Sequence, residues 1–395
     1  MNKTALWFIR GAVFCALMYA VPSMAIVDTY CPSDLNGDGI SDDPDVVCRH
    51  ITGGDGFAKM ADGKDLYVFG FGDATGVPDG EVMMTNMLGA NTPAPTIVVK
   101  EGQEVYLTLS NVGMANRPDL FDAHSVHWHG FPNASVYYDG VPDASVAINM
   151  GASLWYYYKA MDPGTYMYHC HVEVVEHMEM GMVGNLFVTP LQDGTAFDDP
   201  TDSVVKNFTK FAYNDGDGTT GYDVDKLIQL GDFDSRFHDA SISVQPLPFD
   251  TLDGDYHLIN GRGYPDTINP DPIVNVDGNP YQPEDSLVTV TQGQRVLLRV
   301  SNLSATEYHT LRSLGIPMKV IGRDARILRT GGDPAGTDLY YYTSSVTLGG
   351  GQSYDVLLDT TGVAPGTYFL YSRNLNDLNN KDERRGGMMT QIVVQ

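Results

Sequence analysis

The chain repeats itself. Gly102-Gln103-Glu104-Val105 and, a little further on, Ser110-Asn111 recur at one offset as Gly293-Gln294-Arg295-Val296 and Ser301-Asn302. Pro163-Gly164-Thr165-Tyr166 recurs as Pro365-Gly366-Thr367-Tyr368. A unit this long is a whole domain rather than one turn of a solenoid, whose period runs from about 20 to 50 residues. Within the unit, Val105, Leu107 and Leu109 alternate with Tyr106, Thr108 and Ser110, the mark of a strand with one buried face. The 42 Gly, 22 Pro and 23 Tyr fit many short strands joined by turns. The expectation is an all-β chain made of two copies of one β-sandwich.

The flanks divide the rest. Lys3 and Arg10 precede a short apolar run, and Ser23-Met24-Ala25 offers a small-residue cleavage site, so residues 1–25 read as an export signal. The run is too short to span a bilayer, which takes about 20 apolar residues. Removal of Lys3 and Arg10 takes the formal charge from -26 to -28. The product is expected to be periplasmic or secreted, with no membrane span after cleavage. Residues 26–65 form an N-terminal segment, 66–191 the first sandwich, 192–204 an acidic linker and 205–395 the second sandwich. With 24 Lys plus Arg against 50 acidic residues, nucleic acid is excluded as a partner, because phosphate binding needs basic patches. The acidic surface suits steering of cationic donors or a basic redox protein.

Of the four cysteines, Cys15 leaves with the signal. Cys31 and Cys48 suit a disulfide in an oxidising compartment. Between them, Asp34, Asn36, Asp38, Ile40, Asp42 and Asp45 take the ligand positions of a calcium loop with Gly39 at its sixth position, although Asp45 is shorter than the usual Glu. A plain acidic turn is the alternative.

Cys170 stands in Tyr168-His169-Cys170-His171, followed by His177 and Met182. One thiolate, two imidazoles and a thioether are the donors of a blue-copper centre. The other histidine cluster, His124-Ser125-Val126-His127-Trp128-His129-Gly130, supplies the second imidazole as His124. Strand alternation then turns His169 and His171 away from the side that Cys170 faces, and sets His127 and His129 opposite Trp128. Four imidazoles are expected to converge on a second metal locus, joined to the first through the backbone of Cys170.

These motifs, H-x-x-H-x-H-G and H-C-H with a later His and Met, resemble the C-terminal copper domain of multicopper oxidases, the laccase group. The resemblance implies tandem cupredoxin-like Greek-key sandwiches. It also implies type 1 copper at His124, Cys170, His177 and Met182, and part of a type 2/type 3 cluster at His127, His129, His169 and His171. Electrons would pass from a reductant through type 1 copper to the His-rich cluster and on to oxygen. The donor could be a small molecule, a metal ion or a redox protein. Asp139, in Tyr138-Asp139-Gly140, resembles the acid that oxidases use to deliver protons, although a turn aspartate before Gly is as common. Six residues separate Cys170 from His177, more than in laccases and fewer than in copper nitrite reductases.

The second copy departs from the first. His309 matches His124, but Arg312 and Leu314 replace His127 and His129, and Tyr371, Ser372 and Arg373 replace His169, Cys170 and His171. It keeps the fold without the copper ligands. A laccase-type cluster needs eight imidazoles, so a homo-oligomer is expected to complete it, through a two-fold contact that sets identical patches face to face. Two alternatives stay open: a blue-copper electron carrier or copper-handling protein without oxidase activity, and a nitrite-reductase-like enzyme.

Overall fold

The computed structural model describes residues 27–395 apart from Asp382; the expected export signal lies outside the described residues. In the first half, strands β1 (Val46–Lys59), β2 (Asp65–Asp73), β3 (Ile97–Lys100), β4 (Glu104–Gly113), β5 (His127–His129), β6 (Ser153–Lys159), β7 (Gly164–His169) and β8 (Val183–Thr189) build two sheets. One runs β2-β1-β4-β6 and the other β3-β8-β7-β5. The pairs β1 with β4 and β3 with β8 are parallel while the rest are antiparallel, as crossing Greek-key connections require. Ile51, Phe69, Leu107, Leu109, Trp128, Tyr156, Tyr168 and Leu186 fill the space between the sheets.

The second half reproduces this pairing. Val224–Phe233 lies parallel to Arg295–Asn302, which runs antiparallel to Gln352–Asp359. Val288–Val290 lies parallel to Met389–Val394, followed by Gly366–Ser372 and His309–Leu314 in antiparallel order. The chain is therefore two tandem cupredoxin-like sandwiches. The correspondence extends to hydrogen bonds: Asn111 Nδ2 donates to the Ile148 carbonyl at 2.9 Å, as Asn302 Nδ2 does to the Leu348 carbonyl at 2.9 Å.

The boundary expected at residue 65 needs correction. β1 lies inside the first sandwich, paired on both sides with β2 and β4, as Val224–Phe233 is paired in the second. Gly53, Gly54 and Gly56 stand in the middle of this strand. In the strand they are places of close approach: a Cβ on Gly53 would stand 2.6 Å from His124 Cδ2, and one on Gly54 would stand 2.8 Å from Val112 Cγ2. Cys48 on β1 is bonded to Cys31, across 17 residues of sequence, which staples the N-terminal loop to the sandwich.

The two sandwiches meet through buried polar contacts. Thr165 Oγ1 donates to Asp355 Oδ1 at 2.6 Å, and Ser301 Oγ donates to Asn185 Oδ1 at 2.8 Å. The buried Arg299 guanidinium lies 4.8 Å from the centre of the Phe187 ring. Truncating one partner of such a buried set leaves the other unsatisfied, so these contacts fix the register of the halves. No helix among the described residues is long and apolar enough to cross a membrane.

Candidate metal centre

Two donor groups sit on opposite sides of Cys170. The first joins β7's end to the segment that follows it. His177 Nδ1 lies 3.2 Å from Cys170 Sγ and His124 Nδ1 lies 4.0 Å from it. These three ligand atoms all fall within 4.8 Å of one another, and all three residues are buried. The Ser125 amide donates to the sulfur at 3.5 Å. The lengthened spacing to His177 is taken up by a short helix, α1 (Val174–Glu179), whose first bond runs from the His177 amide to the Glu173 carbonyl at 3.0 Å. Gly181, at φ 112°, then reverses the chain, a conformation that side chains other than glycine's resist. The Met182 amide returns to the His177 carbonyl at 2.8 Å, and the Met182 carbonyl accepts from the Cys170 amide at 3.2 Å. Met182 is thereby tied beside Cys170, with its side chain fully buried.

Electrostatics favour a thiolate. Burial pushes the Cys170 thiol up, but the His177 and His124 imidazoles beside it outweigh burial and hold it well below the ordinary thiol range. Burial opposes protonation of His177, and the sulfur and Asp122 more than offset it, raising this imidazole. Asp122 Oδ2 stands 3.8 Å from His177 Nε2. The outer nitrogens of His124 and His177 are buried without a hydrogen-bond partner. A buried sulfur facing two imidazole nitrogens, with so little protein hydrogen bonding around it, is the arrangement that copper completes.

The second group gathers on the other face. β5 pairs with β7 so that His127 lies opposite His169 and Trp128 opposite Tyr168. The His127, His129 and His169 donor atoms lie within 4.8 Å of one another. His171 joins them: its ring centre is 5.0 Å from that of His127, and all four line one cavity of about 270 Å³. Trp128 points the other way, into the core.

Second contacts set the tautomers. His169 Nδ1 meets the Cys170 carbonyl at 2.8 Å and His127 Nδ1 meets the Asp139 carbonyl at 2.7 Å. A carbonyl can only accept, so each Nδ1 carries the proton and each Nε2 is left to bind metal. Burial, reinforced by the neighbouring imidazoles and opposed by the Cys170 carbonyl, lowers His169 to about 3. Burial and then His127 lower His129 as well. Both rings are neutral at physiological pH, the form that ligates. Asp139 also places Oδ1 3.3 Å from His127 Nδ1, so it orients a candidate ligand through two atoms.

The second sandwich closes this cavity with Leu303, Ser304, Ala305, Gly350 and Gly351, none of which offers an imidazole. Gly351 packs so closely on His129 Nε2 that a Cβ there would collide with it. Sequence reasoning missed Gly53, Asp122, Ser125 and Gly351. Asp122 and Ser125 flank His124 and could have been flagged by position, whereas the glycines carry no local signal.

In the loop expected to bind calcium, the carboxylates hydrogen-bond to the loop's own amides. Asp34 spends its carboxylate on the amides of Gly37, Asp38 and Gly39, and Asp42 on that of Leu35. Among the described residues, Asp34, Asn36, Asp38, Ile40, Asp42 and Asp45 form no cluster of three converging acidic groups.

The fold is cupredoxin-like, and the sulfur-centred donor set is of the kind that suits copper. Two family models, each described as multicopper oxidase, match residues 73–193 and 233–395. The chain belongs to the multicopper oxidase family, whose members bind copper. It is 29% identical over 197 residues to Laccase abr2 of Aspergillus fumigatus, covering 48% of this chain and 30% of that protein. It is 26% identical over 315 residues to Copper resistance protein A of Pseudomonas syringae pv. tomato, covering 73% of this chain and 44% of the relative. The chain thus spans less than half the length of these curated relatives. Among solved structures it resembles the blue copper oxidase from Nitrosomonas europaea, at 23% identity and a TM-score of 0.62, over 87% of this chain and 85% of that one. The copper nitrite reductase from the same organism aligns at 16% identity and a TM-score of 0.56, over 89% and 93%.

Proposed function

We propose that this chain is an exported copper oxidoreductase of the multicopper oxidase type, taking electrons from a reductant and passing them to oxygen. His124, Cys170, His177 and Met182 hold the type 1 copper, and His127, His129, His169 and His171 hold the second locus. Copper at these loci would supply one-electron oxidation of the donor and reduction of oxygen. The single observation that carries the reading is the placement of Cys170: its sulfur belongs to one donor group while its carbonyl fixes His169 of the other. The thiolate and the second group are therefore linked through a few covalent and hydrogen bonds.

The residues divide the work. Cys170, depressed by two imidazoles, presents a thiolate. Asp122 sets a negative charge 3.8 Å from His177, and Asp139 orients His127. Export is supported by the disulfide at Cys31 and Cys48, which persists in oxidising compartments. The domain division is proposed at the acidic linker 192–204, with the first sandwich beginning at β1. Candidate donors are phenols, metal ions such as Cu(I), Fe(II) or Mn(II), and a redox protein drawn by the acidic surface.

A second reading is favoured by one observation. The covering turns bring no imidazole to the four-histidine cavity, which suits a blue electron carrier or an enzyme with one catalytic copper better than a full oxidase cluster. Copper content and oxygen uptake of the purified protein decide. More than one copper per chain with oxygen consumed in the presence of a reductant is expected; one copper and no uptake would sink the oxidase reading.

A further inference from the structure

The second sandwich keeps a histidine where the first has its copper ligand, and surrounds it with acids. His309 Nε2 lies 2.9 Å from Ser304 Oγ and 3.0 Å from Asp232 Oδ1. On its other side, His309 Nδ1 stands 3.6 Å from Asp377 Oδ2, and Asp377 Oδ1 stands 3.7 Å from His257 Nε2. Ser372 Oγ donates to Asp377 Oδ2 at 2.7 Å. His309, Asp232 and Asp377 are buried, whereas His257 is partly open to solvent.

The inner end of this row is Ser304. It lines the cavity shared by His127, His129, His169 and His171. It also lines a smaller cavity of about 30 Å³ with Asp232, and Leu303, Ala305 and Met178 border both spaces. The larger cavity is roomy and polar enough for water. From His257, whose side chain is 13% exposed, to the four-imidazole cavity there is thus a row of groups that can each take a proton on one side and release it on the other. The 3.6 and 3.7 Å gaps close to hydrogen bonds with a shift of about half an ångström.

We propose that His257, Asp377, His309 and Ser304 form a relay that delivers protons from solvent to the four-histidine cavity. This rests on the reading of that cavity as the oxygen-reducing locus. Each oxygen molecule reduced to two waters takes four electrons, from the reductant, and four protons. In one transfer the His309 Nε2–H bond breaks as Ser304 Oγ gains that proton and gives its own to the cavity. The neutral ring left behind keeps its Nδ1–H; a half-turn of the ring brings the bare nitrogen to Asp377, which hands it a proton accepted from His257, and His257 regains its own from solvent. Burial disfavours the His309 imidazolium, but Asp232 and then Asp377 outweigh it and raise the group to about 9, so a proton is stored there at neutral pH. Glu307 also faces His309, Asp232, Asp377 and His257, and buried Glu179 faces Asp232 across the smaller cavity.

The test uses copper-loaded full-length protein with hydroquinone as reductant. In His309→Gln, oxygen uptake is expected to fall roughly a hundredfold, the lower end of what positioned proton transfer contributes. Copper content and the anaerobic rate of bleaching are expected to stay as in wild type, because electron entry does not use the relay. Ser304→Ala, which threatens the fold least, is expected to slow uptake and to enlarge the solvent deuterium effect. Wild-type uptake in both variants would overturn the relay. So would loss of thermal stability and copper with an unchanged deuterium effect, the signature of a structural role. A wild-type protein that binds copper but consumes no oxygen would instead remove the functional reading, and the relay with it.

Discussion

The two sandwiches share one backbone plan and differ in what they place at the same point. Cys170 bonds through its amide to the Met182 carbonyl at 3.2 Å, and Ser372 bonds likewise to the Met388 carbonyl at 3.0 Å. His127 faces His169 across β5 and β7, and Arg312 faces Tyr371 across the matching pair. In the first copy a sulfur and two imidazoles leave buried polar atoms without partners. In the second, Ser304 and Asp232 meet His309 Nε2 at 2.9 and 3.0 Å and Asp377 stands 3.6 Å from its Nδ1. Buried His309 is paired with acids, as a buried ionisable group is costly unless paired.

The comparison breaks most sharply at the sulfur. Cys170→Ser is expected to abolish the intense visible absorption and all turnover while the sandwich stays folded, since thiolate-to-copper charge transfer is the source of that colour. A variant that stays blue would place the centre elsewhere. Next comes His129→Ala. Oxygen uptake is expected to fall by about a hundredfold or more, the scale of losing a group that acts at the reacting centre, with the blue absorption retained because the ring faces away from Cys170. Equal loss of both signals would show that the two faces of β5 and β7 are not independent.

Much of this was legible in the sequence because both periodicities are local. The alternation of His169, Cys170 and His171 separated the two donor groups, and the repeated Gly-Gln and Pro-Gly-Thr-Tyr motifs gave two copies of one sandwich. β1 was not legible. Its Gly53, Gly54 and Gly56 leave no alternation of side chains to follow, and only the approach of His124 and Val112 from elsewhere in the chain explains glycine in a paired strand. Helix α1 was hidden in a spacing that read only as a longer loop. The acids around His309 were beyond reach too, since Asp232 comes from the Val224–Phe233 strand, far from it in sequence.

The second copy carries its own pH dependence. His309 is raised from 6.5 to about 9, so its ion pairs stabilise the fold fully below pH 6.5 and lose that contribution as pH rises through 9. His309→Gln is expected to cost about 3 kcal/mol near pH 6, by linkage from that shift, and the difference from wild type should shrink above pH 9. Unfolding curves at pH 6 and 9.5 measure it, and a difference independent of pH would mean that the ion pairs with Asp232 and Asp377 contribute nothing.

The smallest expected effect tests why the copies differ in a residue that carries no chemistry. Gly53 pairs with Asn111, and at the matching point Leu230 pairs with Asn302. The first copy has no side chain there because the His124 ring occupies the space, with Cδ2 2.6 Å from where a Cβ would sit. In the second copy Leu230 fills the position and is fully buried. Gly53→Ala must therefore push the His124 ring or bend β1, and overpacking of this kind costs about 1–3 kcal/mol. Because His124 Nδ1 faces Cys170 Sγ, the ring cannot move without changing its position relative to the sulfur. A shifted visible maximum and an altered electron paramagnetic resonance spectrum are expected, with oxygen uptake reduced only a few-fold, since the second donor group is untouched. Unchanged spectra together with lowered stability would show that the strand gives way and not the ring, and would leave Gly53 as a packing residue with no bearing on the copper centre.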